Sequence, residues 1–362
     1  MKKLFIYPAK LQRSGSLLTF ILFSFFAEAD YWTQKADFGG SARWTSVGFA
    51  IDNKGYFATG YDGSYKKDVW EFDPITNTWT QKNDFAGTKR ADAIAFNIGS
   101  KGYIGTGYET FIIYKQDFWE YDPLSDSWTQ KANFGGGNRS LAIGVGSSLK
   151  GFVGTGYIAG INGFQDFWEY DPFLNSWNQK ASFGGIERWL AAAFLIGDKI
   201  YLGSGLVPAV PQQDFWEYDT SLDAWTQKAD YGGGPRFGAS SFSIGNKGYV
   251  GLGNDGTTTK NDFWKYDPAF NLWSQVANYL GGMRRYSSSF SIGNKGFVGL
   301  GVDENYIAQN DFWEYTPDST TSIEEAPTSN FQFSISPNPA KEFIVISCSL
   351  AGKENLAITI TN

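Results

Sequence analysis

The chain has 362 residues, of which 42% are hydrophobic, 18% aromatic and 19% charged, a balance that supports a sizeable core and excludes a disordered polymer. A formal charge of -7 works against a phosphate-backbone partner, so nucleic acid is not expected, and the complete lack of histidine removes imidazole from any catalytic or metal site. The single cysteine, Cys348, leaves no intrachain disulfide to form.

The first element is MKKLFIYPAKLQRSGSLLTFILFSFFAEAD. Basic residues precede the apolar run 17–26, and Ala27-Glu28-Ala29 offers a small-residue cleavage site, so residues 1–29 read as a secretory signal peptide. The run of about ten apolar residues falls short of the roughly 20 that cross a bilayer. No other stretch is long enough, and no integral membrane segment is expected in the mature chain. Removing the segment takes away Lys2, Lys3, Lys10, Arg13 and Glu28, which moves the formal charge from -7 to -10. A secreted or cell-surface location is expected.

Residues 30–316 repeat. DVWEF at 68, DFWEY at 117, 166, 214 and 311, and DFWKY at 262 place Trp70, Trp119, Trp168, Trp216, Trp264 and Trp313 at steps of 48 or 49. In five units a second tryptophan follows nine residues later, as Trp79, Trp128, Trp177, Trp225 and Trp273; in the sixth that position is Ser322. Each unit reads as four short strands: an alternating stretch such as SSFSIG, a Gly-bearing turn, YVGLG, a loop, DFWEY, a turn and WTQK. At Asp122-Pro123, Asp171-Pro172 and Asp267-Pro268 the Asp side chain caps the turn while Pro presets its first central φ. Four-stranded units of this length predict propeller blades. The opening DYWTQKADFGG matches only the last part of the repeat, so Trp32 is expected to supply the strand that the unit of Trp313 lacks, closing six blades without a free edge.

On these motifs the chain resembles the kelch-repeat propellers of the galactose oxidase/kelch-like superfamily. The likeness rests on the Arg before the first strand, the glycines ending the second, the Tyr-Asp of the third and the Trp of the fourth. Gly-x-Gly, as at Gly105-Thr106-Gly107, stands where the family has a double glycine. The resemblance implies an all-β, six-bladed kelch-type propeller. Galactose oxidase relatives need histidines and a Tyr–Cys cross-link for copper; without histidine a copper radical oxidase is excluded, and Ser-His-Asp or Cys-His catalysis with it.

After the propeller, residues 317–330 are Ser/Thr/Glu/Pro-rich and read as a linker. Residues 331–362 resemble the start of the C-terminal sorting domain of type IX secretion cargo in Bacteroidota, a small β-sandwich. Here it is incomplete, and a segment under about 40 residues seldom folds alone.

Candidate ligand residues follow from what repeats and what does not. Arg43, Arg90, Arg139, Arg188, Arg236 and Arg285 precede successive first strands, and the fold is expected to gather them near the axis on one face. Two readings stand: a positive mouth for carboxylate or sulfate groups, or ties between blades through loop carbonyls and aromatic rings. The loops after the second strands should share that face. Those of blades two to four are unusually apolar, which reads either as loop packing on loop or, at Phe111, Tyr114 and Phe164, as a platform for a sugar ring or peptide. Glu71, Glu120, Glu169, Glu217 and Glu314 recur by symmetry and read as structural, whereas Glu109, Glu187 and Asp303-Glu304 are unique carboxylates. The loop bearing Asp255 and Asp262 matches no calcium-binding spacing and reads as a solvated turn. No catalytic residue, metal or cofactor is expected, and a monomer is. The reading is a secreted, non-catalytic propeller that binds a carbohydrate or protein ligand of anionic character through the Arg-bearing face. The alternative is a metal-independent sugar mutarotase or epimerase resembling the kelch-type sialic acid mutarotases, and a third is an interaction module in a cell-surface assembly.

Overall fold

A computed structural model describes residues 29–318 except 111 and 162, and the backbone of two further strands at 332–336 and 345–349. Residues 1–28, which take in nearly all of the expected signal peptide 1–29, residues 319–331, which take in most of the expected linker 317–330, and the remainder of the tail lie outside the described residues, as does Phe111.

Tyr31–Thr316 contains six four-stranded antiparallel sheets. Blade 1 runs Val47–Ile51, Lys54–Ala58, Val69–Asp73 and Thr78–Lys82. Blades 2 to 5 repeat this order with inner strands Ile94–Ile98, Ile143–Gly146, Ala192–Ile196 and Ser240–Ile244. Blade 6 takes Ser288–Ile292, Lys295–Gly299 and Phe312–Thr316 from the end of the repeat and Tyr31–Gln34 from its beginning. Trp32 lies opposite Tyr315 and Gln34 opposite Trp313, the closure expected from the sequence. Each inner strand packs on the next, and the sixth on the first, so the ring is complete. No helix occurs among the described residues, and none is long and apolar enough to cross a membrane.

The strand pattern explains the layering. On the inner strand Val47, Phe49 and Ile51 are buried, while the small Gly48 and Ala50 alternate with them. The second strand is buried along nearly its whole length because neighbouring blades cover both its faces, which is why it reads as a continuous apolar run. Between blades, the inner-strand Phe of one covers the second-strand Gly of the next. A Cβ on Gly55 would stand 2.0 Å from Phe290, and Gly102, Gly151, Gly248 and Gly296 meet Phe49, Phe96, Phe194 and Phe242 in the same way. The one exception compensates itself. Blade 3 has Val145 where the others have Phe, and blade 4 has Ile200 where the others have Gly, so the smaller knob faces a larger floor in one cluster.

At the rim, outer-strand tryptophans stitch blade to blade, Trp128 excepted, whose Nε1 is buried without a partner. Trp79, Trp177, Trp225 and Trp273 donate from Nε1 to Ala36, Ala132, Ala181 and Ala229 carbonyls of the preceding blade's exit. Trp32 donates to Ala277 at 3.0 Å, so the joint between the chain's two ends uses the bond found elsewhere. The repeated glutamates are internal acceptors: Tyr56, Tyr103 and Tyr201 donate to Glu71, Glu120 and Glu217 at 2.5–2.6 Å. In the tail, Gln332–Ser336 and Val345–Ser349 pair antiparallel with Ser334 opposite Ser347.

Candidate functional site

The segment between each outer strand and the next inner strand carries an Arg, and all six fold into the same bonded unit. Arg43, Arg90, Arg139, Arg188, Arg236 and Arg284 are at most 2% exposed. Their Nη1 atoms reach Asp68, Asp117, Asp166, Asp214, Asp262 and Asp311 at 2.6–2.7 Å, and Nη2 completes a bidentate fork on each carboxylate. Those aspartates open the DFWEY motif, and each also accepts from the indole Nε1 two residues on, Trp70 to Trp313, at 2.7–2.8 Å. The same Nη1 donates to the carbonyl of the residue just past the second strand, from Thr59 to Leu300. Each guanidinium also lies 4.8–5.6 Å over the ring of Phe38, Phe85, Phe134, Phe183, Tyr231 or Tyr279. Burial pushes Asp68, Asp117, Asp214 and Asp262 upward, but the Arg bonds and charge and the indole N–H outweigh it and hold them below the usual carboxylate range.

Of the two readings of these arginines, the geometry is that of structural ties through carbonyls and rings, and the positive mouth is corrected in two ways. Arg43, Arg90, Arg139, Arg188 and Arg236 are buried rivets whose charge is met by an internal carboxylate. The sixth rivet is Arg284, not Arg285: in the doublet Arg284-Arg285 only the first keeps the bond to Asp311, and Arg285 takes the next position, bridged to Val302.

Two residues after each rivet the backbone turns left-handed, at Thr45, Asp92, Leu141, Leu190, Gly238 and Tyr286, with φ between 52° and 62°. Their N–H groups donate around a closed circle: Thr45 to Tyr286, Asp92 to Thr45, Leu141 to Asp92, Leu190 to Leu141, Gly238 to Leu190 and Tyr286 to Gly238, at 3.0–3.3 Å. Five non-glycine residues hold a conformation disfavoured for side chains because the ring of hydrogen bonds over-determines it. This axial collar was missed in the sequence. Its one local signal is Gly238, two residues after Arg236.

The collar carries one carboxyl, Asp92. It is half-buried, and burial pushes it up to about 7 against hydrogen bonding from the Tyr108 phenol, with the Thr45 hydroxyl beside it. Tyr65, Tyr114 and Tyr286 lie close enough to feel its charge. Three carboxylates of the variable loops differ, because each has a lysine of its own loop: Asp62 with Lys66, Glu109 with Lys115 and Asp255 with Lys260, at 2.7–3.0 Å; in blade 6 Asp303 instead accepts from the Asn305 and Ile307 N–H groups and the Gln309 amide of its own loop.

Around the collar runs an aromatic arc. Trp44, Tyr61, Tyr65, Tyr108, Tyr114, Tyr157 and Trp189 contact in that order with ring centroids 5.1–6.4 Å apart, all half-buried. The bridges Trp44 to Tyr61, Ala91 to Tyr108, Ser140 to Tyr157 and Trp189 to Leu206 place the residue after the rivet beside the residue after Gly-x-Gly, and so put the arginine segments and variable loops on one face as expected. An open cleft of about 850 Å³ adjoins the arc at Tyr65, bounded by Lys66, Asp68, Trp70, Lys89 and Glu109. Blades 5 and 6 lack the arc. Asn254 and Val302 stand where blades 1 to 3 have Tyr.

Of the other predicted residues, Tyr114 joins the arc between Tyr108 and Tyr157. Phe164 lies over the Arg139 guanidinium at 3.9 Å and caps that rivet. Glu187 packs beside Gly163, next to the Arg188 rivet. No group of three His, Cys, Asp or Glu side chains that could hold a metal occurs among the described residues.

No family model matches the chain, and no curated protein matches it. Its fold is shared with a solved structure titled "Structure of YjhT", with a TM-score of 0.66 over 78% of this chain and 97% of that one. At 15% identity the likeness is one of fold, and it establishes this chain as a six-bladed β-propeller of that structure's architecture.

Proposed function

We propose that the protein is a kelch-type recognition propeller that binds a carbohydrate across the aromatic arc of its variable-loop face. The arc itself carries this reading: seven partly exposed rings in mutual contact offer apolar platforms, and five of them add phenol oxygens at their edges. The cleft beside Tyr65 gives a longer glycan somewhere to continue. Export by the N-terminal segment, type IX sorting by the tail and action as a monomer belong to the same reading, supported by the sequence features described above. Glycan-array or calorimetric binding tests it: Trp44→Ala with Trp189→Ala should weaken binding at least tenfold while melting stays cooperative, and undiminished binding by that pair rejects the arc.

A second reading, a metal-independent sugar mutarotase, is favoured by Asp92. A carboxyl poised near 7 and hydrogen-bonded to a phenol can take and return the proton of an anomeric hydroxyl. Anomeric exchange followed by NMR should accelerate with the wild-type protein and not with Asp92→Asn; no acceleration across neutral and acidic sugars leaves the binder.

A further inference from the structure

We infer that Arg285 is an anion-binding residue that takes a carboxylate or sulfate group of the ligand at the mouth, an inference that rests on the carbohydrate reading above. The molecule contains its own control. Six buried guanidiniums each hold an aspartate in a bidentate fork. Arg285 is also buried, at 7% exposed, yet no carboxylate or hydrogen-bond acceptor meets its guanidinium among the described residues; an enclosed Nε without a partner is a feature it shares with Arg139, Arg236 and Arg284, so the missing carboxylate is what sets it apart. A buried charge without a counter-charge is costly, and proteins rarely carry one without a use.

Its surroundings stabilise a cation without neutralising it. The guanidinium lies 5.5 Å from the Tyr286 ring and 4.0 Å from the Tyr306 ring. Aromatic faces attract the charge but leave the planar fork of donors open to an oxyanion. Arg285 pairs with Val302 through both backbone bonds at 3.0 Å, which places it at the step of the rim held by Trp44 in blade 1 and Trp189 in blade 4. Tyr286 joins it to the collar: burial, opposed by the Arg285 charge and assisted by that of Asp92, pushes this phenol up to about 12. One ring thus senses both the unpaired guanidinium and the axial carboxyl. Tyr306, 64% exposed and held at φ 60°, forms the outer cover. An acidic sugar would set its charged group on Arg285 and its ring toward the arc.

The test is calorimetry on the full chain with glucuronic acid, glucose 6-sulfate, glucose and inorganic sulfate, at low and moderate salt. We expect one or both charged sugars to bind at least tenfold more tightly than glucose, with the preference shrinking as salt rises. Which of the two is preferred identifies the anion. Arg285→Gln should abolish the preference and raise the melting temperature, because it removes an unpaired buried charge; Tyr306→Ala should retain the preference. Equal affinity for glucose and both charged sugars, or a preference that survives Arg285→Gln, overturns the inference and leaves the arc standing. A lower melting temperature for Arg285→Gln with no change in ligand preference assigns the residue to the fold and also overturns it. Arg285-dependent binding of sulfate without binding of any sugar keeps the anion site and rejects the carbohydrate reading.

Discussion

Arg284 and Arg285 are neighbours in sequence and opposites in chemistry. The first is one of six rivets, its charge met by Asp311, its Nη1 on the Leu300 carbonyl and its guanidinium over Tyr279; the second has two rings and no carboxylate. The same contrast separates Asp92 from the loop acids, since Asp62, Glu109 and Asp255 each have a lysine and Asp92 has only hydroxyls. What recurs in every blade has its charge met internally and holds the wheel together. What occurs once and lacks a counter-charge gathers on the face where the aromatic arc lies.

The largest effect should come from opening the ring. Deleting residues 29–34 removes the outer strand of blade 6 and its bond to Ala277, and cooperative thermal unfolding should be lost; Trp32→Ala alone should cost about 3–5 kcal/mol in urea titration. If the deletion variant melts like the parent, the closure is not what stabilises the wheel.

Next come the rivets. Arg188→Ala leaves Asp214 without its counter-charge, held by the Trp216 indole, and takes the Arg donor from the Ser204 carbonyl, at a cost of about 3–5 kcal/mol. Because the partner aspartates are held below their ordinary range, the stability they contribute is present above about pH 4 and lost as pH falls through their folded values. A wild-type melting curve that weakens below pH 4, against a flatter profile for Arg188→Ala, would show that the pairs act as described.

The collar should respond with the opposite sign. Asp92 is raised to about 7, so the unfolded chain ionises first and the penalty on folding grows as pH climbs from about 4 to 7, remaining in full above that. Asp92→Asn, which keeps a residue tolerant of left-handed backbone, should gain on the order of 2 kcal/mol at pH 8 and nothing near pH 4. A gain of equal size at both values would mean the carboxyl is not the cause. Smallest of all should be changes at exposed turn residues: Leu124→Ser and Phe173→Ser, at positions each 94% exposed, should stay within about 0.5 kcal/mol.

The six-part wheel, its four-stranded units and the strand exchange between chain ends were legible in the sequence, because strand period and repeat length are local quantities that each blade states again. The spacing of Arg and Asp-x-Trp was visible too, but not that the two meet, since 25 to 27 residues separate them and only the folded blade brings them within bonding distance. The doublet at 284–285 misled the alignment because a one-residue shift leaves the spacing almost unchanged. Phe164 looked like a platform by composition and serves instead as a lid on Arg139. Tertiary structure alone decided which charges are spent inside the protein and which remain: that depends on desolvation and on partners from other blades, quantities that no stretch of chain carries by itself. It likewise decided the left-handed collar, whose hydrogen bonds join six segments that are distant in sequence and adjacent only once the circle has closed.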